Sequence, residues 1–292
     1  LNKFDIIGKI DQSNLKALGL VKENVQLQSD FDLKVSGNTL DDWLGAATLK
    51  NIKLANSERD FEVDSLNIYS NAKLNERKLA VVSDLFNINL KGNYVPSQVI
   101  EDALKLVKEY RLFFEADEQE RGQYYASLPA DTLKNTYMLN YEVKLKNAEP
   151  FFAFFFPSIR VAKTSVFKGQ FKQRSTAEIT MFGKMDSCKI GDNYFYDNTI
   201  DFFASKVSAS PDVLSSWVVE SKTQKLGERL FTEDFEISGA WDQANLITFD
   251  TKIKQQESTN DAAVYGKIQF LPEGFELSFN PINTRLNILK DT

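Results

Sequence analysis

A strict alternation of apolar and polar residues runs from Val25 to Val35, in the stretch VQLQSDFDLKV. Every second position carries an apolar or small side chain, and glutamine, aspartate or lysine lies between. Because neighbouring side chains of an extended chain point to opposite faces, this pattern predicts a β-strand with one apolar and one polar face. At about 3.3 Å per residue the strand would be roughly 36 Å long, which is long for a strand.

Similar segments recur along the chain and predict a mainly β fold. Strands are expected near 4–11, 25–35, 48–54, 61–69, 78–83, 85–94, 137–147, 159–164, 166–173, 176–183, 186–191, 193–197, 199–208, 234–241, 245–255, 262–271, 274–280 and 284–289. Strands that follow one another at this spacing favour antiparallel connections. We therefore predict an elongated, curled antiparallel sheet of about fifteen or more strands.

Two segments depart from the alternation and predict short amphipathic helices. In 97–114 apolar residues recur every three or four positions, as on one face of a helix. In 210–230 the pair Ser210 and Pro211 is typical of an N-cap followed by the first helical residue. The acid-rich stretch at 115–121 is expected to be a solvated helix end and loop rather than a cation site.

A run of aromatic residues, FFAFFF at 151–156, predicts a strand that is apolar on both faces. Its two faces would carry Phe152, Phe154 and Phe156 on one side and Phe151 and Phe155 on the other. A strand with one face in solvent does not tolerate an apolar side chain set on that face, so that another part of the protein must cover it. We expect the helix at 97–114 to pack on this run. The alternative is a contact with a partner or a second copy.

The composition narrows the classes of function. The 292-residue chain has a net charge of −6, whereas a nucleic-acid-binding protein would carry a basic footprint. It contains no histidine, the commonest general base and metal ligand. Its one cysteine, Cys188, cannot form an internal disulfide. We therefore expect no nucleic-acid partner, no metal and no cofactor.

The sequence also lacks a recognisable catalytic constellation, which favours a binding or scaffold protein over an enzyme. A hydrolase that uses two carboxylates stays open as an alternative, because acid pairs are frequent at turns and on polar faces. No apolar run is long enough to cross a bilayer, and no signal peptide begins the chain. Because the chain opens without methionine, we expect it to be an internal fragment of a longer protein.

The domain organisation follows from the absence of a sharp break in composition. Residues 1–292 are expected to form a single β-rich fragment. A weak subdivision is expected into a first strand set at 1–96, a helix and acidic loop at 97–122, and a second strand set at 123–292, which includes the helix at 210–230.

The alternating strands have two interpretations. In the commoner architecture the apolar faces of two sheets meet in a dry sandwich core, as in a surface or adhesion module. In the other, a long sheet curls and its apolar face lines a groove. Periodicity alone does not separate them.

Several stretches resemble the TamB/AsmA-like envelope proteins, especially those of Bacteroidota. These are LKVSGNTLDDWLGAATLKNIKL at 33–54, FNINLKGNYVPSQVIEDALKLVKEY at 86–110, LNYEVKLKNAEPFFAFFFPSI at 139–159, ISGAWDQANLITFDTKI at 237–253 and AVYGKIQFLPEGFELSFNPINTRLNI at 263–288. The segment at 210–230 matches no part of the family's pattern. The resemblance thus covers most of the chain through degenerate motifs.

The resemblance implies a taco-like β-sheet with an apolar groove in a non-enzymatic protein of the periplasm. Members of the family are tethered in the inner membrane, here through a segment outside this fragment, and reach towards the outer membrane. They are implicated in moving phospholipid between the two membranes. They are also implicated in the assembly of outer-membrane proteins, often with an Omp85-type barrel partner. The resemblance provides no catalytic residue and no cofactor.

Candidate groove-lining residues follow from the alternation within the predicted strands. They are Phe31, Leu33, Val35, Leu66, Ile68, Phe86, Ile88, Leu90, Val143, Leu145, Phe249, Ile253, Ile268 and Phe270. The aromatic run Phe151, Phe152, Phe154, Phe155 and Phe156 is the candidate patch for packing or for a partner. An apolar groove would shield acyl chains at roughly 0.8 kcal/mol per buried CH₂.

Overall fold

The computed structural model describes residues 2–18, 23–128, 136–207, 210–241 and 245–288. In this part of the chain there are seventeen strands and three helices, and strands account for 63% of the structure. The predicted fold class is confirmed, because the protein is mainly β with a curled, open antiparallel sheet.

The elements are as follows in chain order. The strands are β1 (Lys3–Asn14), β2 (Gln26–Ser36), β3 (Leu44–Ala55), β4 (Asp60–Lys73), β5 (Glu76–Ser83), β6 (Phe86–Gly92), β7 (Tyr137–Leu145), β8 (Ile159–Val161), β9 (Val166–Gln173), β10 (Thr176–Ile190), β11 (Asn193–Val207), β12 (Val213–Leu226), β13 (Leu230–Trp241), β14 (Leu246–Gln255), β15 (Asp261–Leu271), β16 (Gly274–Phe279) and β17 (Arg285–Asn287). The helices are α1 (Pro96–Glu115), α2 (Glu118–Ser127) and α3 (Glu149–Phe155). The helix predicted at 97–114 is confirmed as α1.

The chain divides into two compact units. Unit 1 comprises Leu1–Ser97, Leu139–Phe167 and Cys188–Gly191, and unit 2 comprises Gln98–Met138, Lys168–Ser187 and Asp192–Thr292.

In unit 1 the strands β1 to β7 form an antiparallel meander in which each strand pairs with the next. The short β8 pairs with the end of β10 at Cys188 to Ile190. The core lies at one end of the meander, where Val25, Ile52, Phe61, Val63 and Leu85 are buried together.

In unit 2 the strands β11 to β16 form a second antiparallel meander. The last short strand, β17, pairs with β15 beside β16. A buried cluster of Phe113, Val213, Trp241, Ile247 and Phe270 joins α1 to this meander. Both units therefore have a helix packed on strands that follow one another in sequence.

The aromatic run is a helix, so the prediction of a strand at 151–156 is wrong. Pro150 lies in the first turn of α3, where its missing N–H costs nothing. The helical spacing puts Phe151, Phe154 and Phe155 on one side. Because no polar residue interrupts the run, its sequence carried no period from which strand and helix could be told apart.

The packing of the helix at 97–114 on the aromatic run stays a prediction, because the run lies in unit 1 and the helix, from Gln98 on, in unit 2. Within unit 1, the rings of Phe151, Phe154 and Phe155 lie 6.2, 5.8 and 6.3 Å from the ring of Phe61 on β4. Tyr110 and Phe113 of α1 pack in the buried cluster of unit 2. The strand β4 thus provides the cover that the aromatic run needs.

The predicted helix at 210–230 is wrong as well, because most of this segment is the strand β12. Ser210 caps a turn rather than a helix, since its hydroxyl accepts a hydrogen bond of 3.1 Å from the Asp212 N–H. Along β12, Val213, Ser215 and Ser221 are buried, and the residues between them are mostly exposed. The buried face thus alternates as a strand requires, but its serines hid the pattern.

The acid-rich stretch at 115–121 contains the end of α1 at Glu115 and a two-residue connection, as predicted, but α2 begins within it at Glu118. Asp117 forms a capping box, in which its carboxylate accepts from the Glu120 N–H at 2.8 Å and the Glu120 side chain accepts from the Asp117 N–H. Acidic residues are favourable in a first helical turn, which explains the local charge.

Candidate functional site

The strand register of unit 1 places an uninterrupted apolar row across seven strands. The row runs through Ile6, Leu33, Ala47, Ile68, Val81, Ile88 and Val143, each paired with the next across the ladder. Six interstrand steps at about 4.8 Å give a row of roughly 29 Å. We call the side of the sheet that carries this row the unit 1 apolar face.

Ten of the predicted groove residues lie on this one face. Beside the central row, neighbouring rows on the same side contain Phe31, Val35, Leu66, Phe86, Leu90 and Leu145. The alternation therefore assigns the side of the sheet consistently from β2 to β7.

The opposite side of the same strands is polar. Asp5 pairs with Lys34, and Asn89 pairs with Glu142. The Thr48 hydroxyl lies 2.9 Å from the Asn67 Oδ1, to which it donates a hydrogen bond. The sheet thus separates a charged side that suits water from a side without charges along its central row.

The unit 1 apolar face is half-buried over most of its extent. Ala47 and Leu145 are buried, Ile6 is 44% exposed, and the other candidates have intermediate exposure. At one end α3 closes the face, because Phe151 packs on Phe86 with a ring separation of 6.1 Å. A dry sandwich core would bury these side chains almost completely.

In unit 2 the other four candidates, Phe249, Ile253, Ile268 and Phe270, also share one side of the sheet. We call this side the unit 2 apolar face. The helix α1 covers part of it, because the Phe113 ring lies 4.9 Å from Trp241 and 5.5 Å from Phe270. Phe270 is therefore buried beneath α1, whereas Phe249 and Ile253 are half-buried.

Aromatic rings lie over glycines at three cross-strand pairs of the two apolar faces. A Cβ added to Gly8 would lie 2.4 Å from the Phe31 ring, and one added to Gly266 would lie 2.4 Å from the Phe249 ring. The third ring, that of Trp217, lies over Gly239. The rings occupy the space of the absent side chains, so that they cover the backbone instead of standing away from the sheet. Sequence reasoning missed these pairs, since only the register brings each glycine opposite its ring.

Gly239→Ala is expected to destabilise unit 2, because the new Cβ would lie 2.3 Å from Trp217 Cζ2 and 2.9 Å from the Thr248 carbonyl oxygen. We expect a loss of about 1–3 kcal/mol in the free energy of unfolding, as for other overpacked sites. Gly122→Ala in α2 is the matched control, since a Cβ there meets nothing within 4 Å. It should be neutral or stabilise by up to about 1 kcal/mol. Urea denaturation compares the two, and equal midpoints would contradict the role of the glycine.

The polar side of unit 2 carries an open groove of about 1050 Å³. Most of its lining residues alternate along the strands with those of the unit 2 apolar face and therefore point to the other side of the sheet. They include Ser238, Thr248, Asp250, Tyr265 and Lys267. Of the fourteen predicted groove residues, Phe249 lines it, together with Gly239 and Gly266. This groove is thus not the apolar groove that the sequence predicts.

Buried charges beneath α1 are a second feature that sequence reasoning missed. The Lys206 ammonium lies 3.2 Å from the Glu109 carboxylate, and their side chains are only 2% and 4% exposed. Burial lowers the pKa of Lys206, and the nearby Glu109 carboxylate opposes that shift. Burial, reinforced by the charge of Glu109, raises the pKa of Tyr124 to about 12. Asp102 and Glu109 are seven residues apart and so lie on the same side of a helix as the apolar Leu106 and Phe113. This spacing could have indicated the cluster, but the apolar residues around them made the side look like an ordinary apolar stripe.

Comparisons of the chain with protein-family models, with curated proteins and with solved structures give no match. The resemblance to the TamB/AsmA-like proteins therefore stays a prediction.

Within the described ranges, no three histidine, cysteine, aspartate or glutamate side chains are grouped so as to hold a metal ion. The helices described here include none that is long and apolar enough to cross a membrane. Cys188 is buried, and burial raises the pKa of its thiol.

Proposed function

We propose that this protein is a non-enzymatic periplasmic conduit, which shields the acyl chains of phospholipids as they move between the inner and outer membranes. The observation that carries the proposal is the unit 1 apolar face. Its central row crosses seven strands without a charge, and most of its side chains are only half-buried.

The dimensions of this row suit an acyl chain. One leaflet occupies half of a hydrocarbon core of about 30 Å, so that an acyl chain spans about 15 Å. The row is roughly 29 Å long at about 4.8 Å per strand. A continuous apolar row that is only half-buried is typical of a surface that binds a ligand or a partner.

The test is extraction of lipid from the purified chain, followed by mass spectrometry of the extract. We expect phospholipid in stoichiometric amounts, and the same species should be lost after the protein is delipidated with detergent. Photo-crosslinkers in place of Leu33 and of Lys34 provide the matched pair, because these neighbours lie on opposite sides of β2. The probe at position 33 should trap lipid and the probe at 34 should not. Absence of phospholipid, with no lipid crosslink at position 33, would contradict the proposal.

The second candidate function is a scaffold for the assembly of outer-membrane proteins with an Omp85-type barrel. It is favoured by β16, the last long strand of the unit 2 meander, in which Phe275, Leu277 and Phe279 are each at least half exposed. An apolar strand at the end of a meander can add a strand of a client by β-augmentation.

Crosslinking also separates the two functions. A photo-crosslinker in place of Glu276 on β16 should trap protein if client strands add there. Under the conduit function alone, it should trap neither protein nor lipid, while the probe at position 33 traps lipid.

A further inference from the structure

The side of α1 that faces the sheet carries charge. Asp102, Leu106, Glu109 and Phe113 follow one another at helical spacing and are all buried. Two of these four residues are carboxylates, although a helix that packs on a sheet normally presents an apolar stripe.

Specific partners hold these carboxylates. Glu109 pairs with Lys206 at 3.2 Å, and the Tyr124 hydroxyl donates a hydrogen bond of 3.3 Å to it. The Tyr137 hydroxyl donates a hydrogen bond of 3.0 Å to Asp102. A buried ion pair gains little net stability, because the desolvation of both charges offsets their attraction. These contacts therefore fix where α1 lies more than they strengthen its attachment.

The opposite side of α1 is apolar and exposed. Ile100, Leu104 and Val107 are between 51% and 66% exposed there, and Phe114, at the edge of the contact with the sheet, is 53% exposed. The Phe114 ring also contacts Trp241 at 5.7 Å, so that this exposed stripe is continuous with the covered part of the unit 2 apolar face. The helix thus leaves a second apolar stripe exposed while it is packed on the sheet.

The contact between α1, α2 and the sheet is also imperfect. The indole Nε1 of Trp241 and the hydroxyl of Tyr125 are buried with no hydrogen-bond partner in the described part of the chain. Beside Glu109 and Lys206 lies a cavity of about 20 Å³. Unpaired buried polar groups and unfilled space both weaken a packed contact.

We propose that α1 is a releasable cover over an acyl-chain site, which Trp241, Ile247 and Phe270 form on the unit 2 apolar face. This inference rests on the proposed lipid-carrying function. The bound acyl chain takes the place of the Phe113 ring against Trp241, and the Glu109–Lys206 pair returns α1 to the sheet when the site empties.

The test is hydrogen exchange of the full chain, read by mass spectrometry with and without a short-chain phosphatidylcholine below its micelle concentration. Without lipid, the amides of α1 should exchange by local opening, ahead of those of β13 and β14. With lipid, exchange of α1 should accelerate by about tenfold while β14 and β15 become protected. Exchange of α1 only together with the strands of unit 2 would overturn the proposal.

Charge variants provide a second readout. Lys206→Met removes the buried cation that joins the Glu109 carboxylate to the sheet and leaves Lys105, which is more exposed and lies on α1 itself, 3.7 Å away. The amides of α1 should then exchange roughly a hundredfold faster. In the double variant Glu109→Gln with Lys206→Met, exchange should return towards the wild-type rate. Arg111→Met is the control, because its pair with Glu115 lies on the exposed side of the same helix. Equal effects of Lys206→Met and Arg111→Met on the exchange of α1 would contradict the role of the Glu109–Lys206 pair in holding α1 on the sheet. Exchange of the β12 amides, which belong to the same unit 2, reports whether the variants stay folded.

The two proposals fail in different ways. If phosphatidylcholine binds, as judged by native mass spectrometry, but α1 exchange is unchanged, the cover is overturned and the conduit function stands. If no phosphatidylcholine binds to any part of the chain, both the conduit and the acyl-chain site are overturned.

Discussion

Ile88→Asp is expected to remove most of the phospholipid that the purified chain carries, by about tenfold or more. Ile88 lies in the central apolar row, between Val81 on β5 and Val143 on β7. A carboxylate there would have to stay hydrated, so that an acyl chain could not lie across it without a large desolvation cost.

The matched control is Asn89→Asp, which adds the same charge one residue away. Asn89 is exposed on the polar side of β6, where its neighbour across the ladder is Glu142. Lipid content should stay within about twofold of the wild type, since surface substitutions of this kind have small effects. Lipid extraction with phosphate analysis measures both variants. Equal lipid content in the two would contradict the assignment of the apolar face.

Phe154→Ala is expected to destabilise unit 1 by about 3–5 kcal/mol, the usual cost of truncating a buried phenylalanine. Its ring is 5% exposed and lies 5.8 Å from the ring of Phe61. The truncation would leave a cavity between α3 and β4, where the core of unit 1 is most densely aromatic.

Phe156→Ala is the comparison, because Phe156 belongs to the same run but is 50% exposed. It should cost no more than about 1 kcal/mol. Urea denaturation, followed by hydrogen exchange of the β3 and β4 amides, separates the unit 1 transition from that of unit 2. A loss of stability from Phe156→Ala as large as that from Phe154→Ala would contradict the helical arrangement of the run.

Much of the sheet could be predicted because many of its strands have one apolar face and one polar face. Around Leu33 and Ile88 apolar and polar residues alternate at every second position. This alternation predicted both the strands and the side of the sheet on which their apolar residues lie. The helix α1 was equally predictable from its period of three to four residues.

The wrong predictions, at α3 and β12, occurred where the polarity of a residue does not indicate whether it is buried. In α3 every residue from Phe151 to Phe155 is apolar, so that no period could be read. In β12 the buried Ser215 and Ser221 are polar, and Ser221 is satisfied by donating a hydrogen bond of 3.1 Å to the Tyr196 carbonyl. Such partners come from distant parts of the chain, as does Lys206 for Glu109, and local sequence does not reveal them.

The pairing of each strand with its sequence neighbour has a consequence for how such a chain is built and lengthened. From β11 to β16 each ladder joins strands that are neighbours in sequence, so that contacts in this meander are largely local. Local contacts need little loop closure before they form, and each hairpin can therefore be laid down on its predecessor as the chain leaves the ribosome. Insertion or deletion of one whole hairpin preserves strand direction and the in–out alternation of the rest. Duplication of hairpins thus offers a simple genetic route to sheets of different span.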